Sequence, residues 1–374
     1  MPPQHPTELP GNRLTTLRGP RPPQPYTARK ITALTANPAC SRRAVLDAAG
    51  VDKAVLAQRM GYEPRFGQSP FAIARERAFE ALVKWGGYAE LIRLLREQLG
   101  IPVGEAAVTD LNEVGGDSSL ARRAKETRNL LTRLASGSDE RLILDRPLLT
   151  LEVAGQTAYL EPQALTHRVG GRFYVVEIRS FPAIDGQADP TAVAQTAKQA
   201  AVSVLALHRI FEQLVLDPAQ IAHEFLLICP KDFSNRPYGR LVDLRQELDA
   251  LRFQLGRLRR ADDLALALPP TATLDIDRAE AELDDSVGAL DASYTPDCLS
   301  FCEMARYCRD EATACASPTR LGGTVRNTLP GIDSTRTALA YLEGVHAPGP
   351  AEAAAIGQLR AAERLRRLRQ GGAA

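Results

Sequence analysis

At 374 residues and 44% apolar composition, the chain is long enough for one large domain or two ordinary ones and has the apolar content of a globular protein. Lysine and arginine number 46 against 45 acidic residues, so net charge supplies no argument for nucleic-acid binding and any basic surface must come from local clustering. No apolar run approaches the roughly 18 residues of a membrane span, and prolines stand where a signal peptide would have its apolar segment, so the expectation is a cytoplasmic protein that does not enter a membrane.

Residues 1–30 are rich in proline and carry Arg13, Arg18, Arg21, Arg29 and Lys30 against the single acid Glu8, a composition that predicts a disordered basic arm. From Ser41 to Leu82 apolar residues recur at helical spacing, interrupted by the turn-like stretches 61–64 and 67–70. Residues 88–99 continue as helix, and the polar stretch from about 100 to 145 reads as a mostly helical insertion. Near residue 148 the period becomes alternating through Leu149, Leu151 and Val153, then Tyr159 and Leu160, then Phe173 to Ile178, with Gly170-Gly171 supplying a hairpin turn. The segment Thr191–Glu212 predicts an amphipathic helix and Glu224–Cys229 a buried strand. Arg240–Arg260 reads as a long helix, and 319–374 as a flexible tail ending in a short helix with Arg360, Arg364, Arg366, Arg367 and Arg369.

Two features carry chemistry. Cys298, Cys302 and Cys308 crowd together near the end while Cys40 stands near the start, and four thiolates are the usual complement of a 4Fe–4S cluster or a structural zinc. Ligands so far apart in sequence would clasp the first helix of the core to the last, making metal affinity part of folding energy. Cys315 is a substitute ligand or free, and Cys229, between Ile228 and Pro230, reads as core. The second feature is the hairpin Leu160-Glu-Pro-Gln-Ala-Leu165 with Tyr174-Val-Val-Glu-Ile-Arg-Ser180, in which Glu177 and Arg179 share one strand face and Gln163 lies across from them. Carboxylates that hold a cation, beside a positive group, are what metal-assisted phosphodiester hydrolysis needs.

Hairpin, following helix and cysteine pattern together resemble the RecB-like PD-(D/E)XK nucleases with a four-cysteine iron–sulfur cluster, such as the CRISPR-associated exonucleases and the AddB nuclease domain, over roughly residues 35–310. The resemblance implies an α/β fold: a restriction-endonuclease-like core of mixed sheet flanked by helices, occupying residues 31–318, with N- and C-terminal helical segments clasped by a metal cluster on Cys40, Cys298, Cys302 and Cys308. It also implies an eroded site. Gln163 stands where the family has a metal-binding Asp and Arg179 where it has a Lys, Glu177 alone matches, and Gln199 keeps half of a Gln-x3-Tyr motif whose second position is Ser203. Glu161, Asp185 and Asp189 are the carboxylates that could replace the lost set.

The expected function is a catalytically inactive or weakened nuclease-fold protein with a structural 4Fe–4S cluster, acting as a DNA-binding or scaffold subunit in DNA processing or defence, beside a helicase or nuclease partner. The alternatives are an active exonuclease using Mg or Mn with a migrated carboxylate set, and a redox-sensing protein-interaction module.

Overall fold

In the computed structural model, residues 10–63, 70–100, 107–139, 142–169 and 171–371 are described. Gly170 of the expected turn, the first nine residues and parts of the expected insertion lie outside them. In chain order the helices and strands are α1 (Pro10–Arg18), α2 (Ala28–Thr35), α3 (Ser41–Ala48), α4 (Lys53–Arg59), α5 (Pro70–Leu99), β1 (Val108–Asp110), α6 (Leu120–Ala135) and β2 (Ile143–Asp145). Next come β3 (Leu149–Val153), β4 (Gln156–Leu160), β5 (Ala164–Val169), β6 (Arg172–Ile178), β7 (Ala183–Ile184), β8 (Gln187–Ala188) and α7 (Pro190–Leu214). The chain continues with β9 (Ile221–Pro230), β10 (Pro237–Asp243), α8 (Arg245–Leu255), α9 (Ala261–Leu266), α10 (Glu280–Gly288), α11 (Ala305–Ala314), α12 (Gly323–Thr328), α13 (Thr335–Glu343) and α14 (Ala353–Gly371). These elements form two compact units that interleave in sequence, one from 1–22, 39–66 and 265–374, the other from 23–38 and 67–264.

The second unit holds a six-stranded mixed sheet of order β1-β2-β5-β6-β9-β10. Strands β2, β5 and β6 run as an antiparallel meander, with Leu165 opposite Val175. The chain then crosses through α7 to place β9 parallel to β6, Glu177 against Leu227, and β10 returns antiparallel as an edge. Strands β6 and β9 are near-continuous apolar runs because they are covered on both faces. One face receives Phe79, Val83, Leu91, Leu94 and Leu95 of α5, which pack on Val176, Ile178, Leu226 and Ile228. Truncating one of them, as in Leu94→Ala, removes about 2–5 kcal/mol. Helix α7 packs against β3, β6 and β9. It starts where Asp189 Oδ1 accepts from Ala192 N at 2.8 Å with Pro190 in the first turn, and stops at Val215 in the left-handed region.

Helix α5 is broken at Trp85–Tyr88, where Gly86, Gly87 and Tyr88 are left-handed in succession. Glycine takes that conformation freely, whereas Tyr88 at φ 66° is strained and is held by a 2.7 Å hydrogen bond from its hydroxyl to Asp145. The segment read as one long helix from 240 to 260 is instead β10 followed by α8. Tyr238, Arg240 and Val242 alternate with Gly239 and Leu241 along a strand, and the helical period starts only at Arg245.

The first unit is helical. The stretch read as a disordered arm includes α1, whose Leu14 and Leu17 are buried, and Leu274 N donates to Leu17 O at 2.7 Å. Its cations are anchored as well: Arg18 donates to Ala49 O, and Arg21 pairs with Asp277 at 2.7 Å. Two leucines three apart on a helix, not the surrounding prolines, decide the outcome here. Arg42 is 2% exposed and joins α3 to α10 and α11 by donating to Val287 O, Leu290 O and both oxygens of Glu311. In the 319–374 region, expected to be a flexible tail, Leu329, Ile332, Ala338 and Ile356 form a small core of their own.

The expected metal clasp is not formed. Among the described residues no group of three or more His, Cys, Asp or Glu side chains could hold a metal ion. Cys40, Cys298, Cys302 and Cys308 are buried, and they do not come together as a ligand set. The Cys308 sulfur accepts from Arg42 at 3.2 Å, and the Cys298 sulfur lies 3.5 Å from the Thr295 hydroxyl. Burial pushes the Cys302 thiol up to about 11 and the Cys308 thiol up to about 12, against the lowering influence of Arg43 and Arg42 respectively, which keeps both protonated near neutrality. The fold is a mixed α/β sheet flanked by helices, without that cluster.

Candidate functional site

The sequence-singled residues of the hairpin meet at one end of the sheet. β6 and β9 run parallel, so their carboxyl ends lie side by side, and β2 ends there while β5 begins there, with Asp145 opposite Ala164. Glu177 and Arg179 therefore emerge beside Gln163, and α5 crosses the same end. The Arg179 guanidinium reaches Glu177 at 2.7 Å, Glu76 at 3.0 Å and Gln199 Oε1 at 3.2 Å. Gln163 turns its side-chain oxygen onto the Ile178 N–H.

Further charged residues complete the cluster. Lys84 pairs with Glu80 at 2.6 Å and with Asp145 at 2.6 Å, and donates to Gln163 O at 3.1 Å. Arg146 reaches Glu80 at 3.3 Å and Glu161 at 3.5 Å, and Glu161 is also bound by Arg123. Glu76, Glu80 and Lys84 were not singled out from the sequence, although their four-residue spacing places them on one face of α5. Asp145 carried no signal beyond ending a short apolar run. Burial raises the Glu177 carboxyl above the usual carboxylate range, Arg179 opposes that rise, and Glu76 and Glu80 add to it.

The donor set does not suit a divalent cation. Gln163 brings a neutral amide whose oxygen is engaged with a backbone N–H, and Arg179 puts a guanidinium against Glu177. The candidate replacement carboxylates are committed elsewhere: Glu161 to Arg123 and Arg146, and Asp189 to capping α7. Asp185 is exposed, and its backbone N–H donates to Asp232. What the cluster does chemically is neutralise itself, each buried carboxylate facing an arginine or lysine.

No family model matches the chain, and neither a curated protein nor a solved structure does. With no group able to hold a metal among the described residues, the RecB-like PD-(D/E)XK assignment is withdrawn. The 4Fe–4S or zinc cofactor and the Mg or Mn of an active variant go with it. So do the function drawn from that likeness, an eroded nuclease subunit in DNA processing or defence, and its two alternatives, the exonuclease with migrated carboxylates and the redox-sensing module. Among the described residues no helix is long and apolar enough to cross a membrane.

Proposed function

We propose that the protein works by binding, and that a single-stranded nucleic acid lies across the carboxyl end of the six-stranded sheet. The observation that carries it is a set of exposed aromatic rings interleaved with exposed cations on segments tied to that end. Phe71 is 88%, Trp85 81% and Phe233 96% exposed. Arg75 and Arg77 share the first turns of α5 with Phe71, and Arg75 donates to Ser180 O just past β6. Lys231 and Arg236 flank Phe233 in the β9–β10 turn, where Asp232 N donates to Ala183 O at 2.8 Å. Exposed Lys198 precedes Gln199, which accepts from Arg179, and Trp85 opens the break in α5 just before the left-handed Gly86.

Fully exposed rings cost solubility unless something flat covers them, and an unpaired base offers a π-face of the right size, worth about 1–3 kcal/mol per stacked ring. Lysine and arginine beside such rings meet the phosphates, and release of counterions makes binding salt-dependent. A duplex hides its base faces and should bind more weakly. The self-neutralised carboxylates beneath this surface favour holding the strand over cleaving it.

The test is fluorescence polarisation of a labelled oligonucleotide in EDTA. The expected result is a dissociation constant near or below about 10 μM at low salt, weakened by about tenfold or more in Lys231→Glu/Arg236→Glu and lost progressively as salt rises. No binding of a single strand at low salt, or equal binding by the variant, would overturn the proposal.

A further inference from the structure

The first unit ends in a helix only half of which is covered. Ile356 is fully buried and Leu359 packs beside it in the small core with Leu329, Ile332 and Ala338. Arg360 donates to Tyr341 O at 2.8 Å, and this is where the anchoring of α14 to α13 ends. Beyond it, Leu365 is 64% and Leu368 72% exposed. With half-buried Ala361 they follow one another at four and three residues, forming a stripe that points away from the face of Ile356. Arg364 and Arg369 border that stripe, whereas Arg366 and Arg367 lie toward the Ile356 side and pair with Glu363 at 2.6 Å and 2.8 Å. A short helical extension without packing is marginal in water, so an exposed leucine stripe rimmed by arginine calls for an acidic, partly aromatic surface.

The same unit presents one. Helix α10 carries Glu280, Glu282, Asp284 and Asp285 and no basic residue. Asp284 and Asp285 line a cavity of about 590 Å³ with Tyr62, Tyr307 and Asp310, the two rings meeting edge to face at 5.6 Å. Rings of this kind receive both aliphatic side chains and the faces of arginine guanidinium groups, and the carboxylates complement the rim. In the structure of one chain this contact is not made, since Leu365 and Leu368 stay exposed.

We propose that the exposed stripe of α14 docks on the acidic, tyrosine-lined face of α10 and α11 of a second copy of this chain. The contact is heterologous, because one face of each copy meets a different face of the next, and copies can therefore add head to tail into rings or short filaments. Opposite charge on the two faces sets the register, and the leucines with the two tyrosines form the desolvated centre.

Sedimentation velocity on the full chain tests the proposal. The expected result is a mass that grows with protein concentration at low salt and returns toward the monomer in high salt. Leu365→Asp/Leu368→Asp should weaken association by about tenfold or more, equivalent to about 1.4 kcal/mol. These positions are exposed in the single chain, so circular dichroism should show the double variant folded. Arg364→Glu/Arg369→Glu and Asp284→Arg/Asp285→Arg should each be monomeric alone, and mixing them should restore hetero-assembly. A protein that stays monomeric at low salt, association untouched by the leucine substitutions, or no assembly on mixing the charge-reversed pair would overturn it.

Discussion

Replacing Arg179 by methionine keeps the side-chain length and removes the one cation that, among the described residues, pairs with Glu177. In the natural protein that pair is short, 2.7 Å, with the carboxylate side chain 7% and the guanidinium 19% exposed. Two unit charges 4 Å apart interact by about 4 kcal/mol at an effective dielectric of 20, and breaking a buried pair on one side costs about 3–5 kcal/mol. Partial exposure of Arg179 argues for the lower end. The loss has a ceiling because Glu177, already raised by burial, can take up a proton. The sign follows: a carboxyl with a raised folded pKa contributes fully below its unfolded value near 4.5 and loses stability as pH rises toward the folded pKa. In Arg179→Met that window widens upward, and stability of the second unit should fall by up to about 1.4 kcal/mol per pH unit across it. Hydrogen exchange of the β6 amides Val175–Ile178 reads that unit directly. Expected are a loss of about 3 kcal/mol at pH 7.5 that shrinks toward pH 5, and partial recovery in Glu177→Gln/Arg179→Met. A loss below about 1 kcal/mol with no pH dependence would refute the coupling.

Three other outcomes follow from the structure. His208 is 8% exposed, and burial, followed by Arg252 and His223, lowers its imidazole to about 4. The unfolded chain therefore binds a proton first as pH falls from about 6.5, and the natural protein should lose up to about 3 kcal/mol by pH 4, with His208→Phe abolishing that part of the acid slope in a denaturant series. Val215 caps α7 at φ 56°, so Val215→Gly should raise stability by about 1 kcal/mol in hydrogen exchange of the last α7 amides. Arg42→Ala strips the donors of Val287 O, Leu290 O and Glu311 from the first unit, and should cost about 3–5 kcal/mol in its exchange-protected amides while leaving β6 protection unchanged.

Much of the sheet was legible because its signals are local. Alternation in β3 and β4, apolar runs for β6 and β9 and an apolar helical period for α7 are each written within a dozen or two residues. The edge strand β10 was missed because a single run of mixed polarity can be read at either period until its partner is known. The hairpin residues Gln163, Glu177, Arg179 and Gln199 do lie together, but the partners that set their chemistry, Glu76, Glu80, Lys84 and Asp145, come from elements whose approach no local pattern states. The cysteine spacing misled for the same reason. Four thiols in sequence define a metal site only if backbone geometry aims them at one point, and here Arg42 meets Cys308.

Trp85 is the sole tryptophan of the chain, so intrinsic fluorescence reports one exposed position on the proposed strand-binding surface. Titrating an unlabelled single-stranded oligonucleotide in EDTA should quench that emission at low salt, with the quench reversed by salt and weakened in Lys231→Glu/Arg236→Glu. Unchanged Trp85 emission at saturating oligonucleotide would contradict the account.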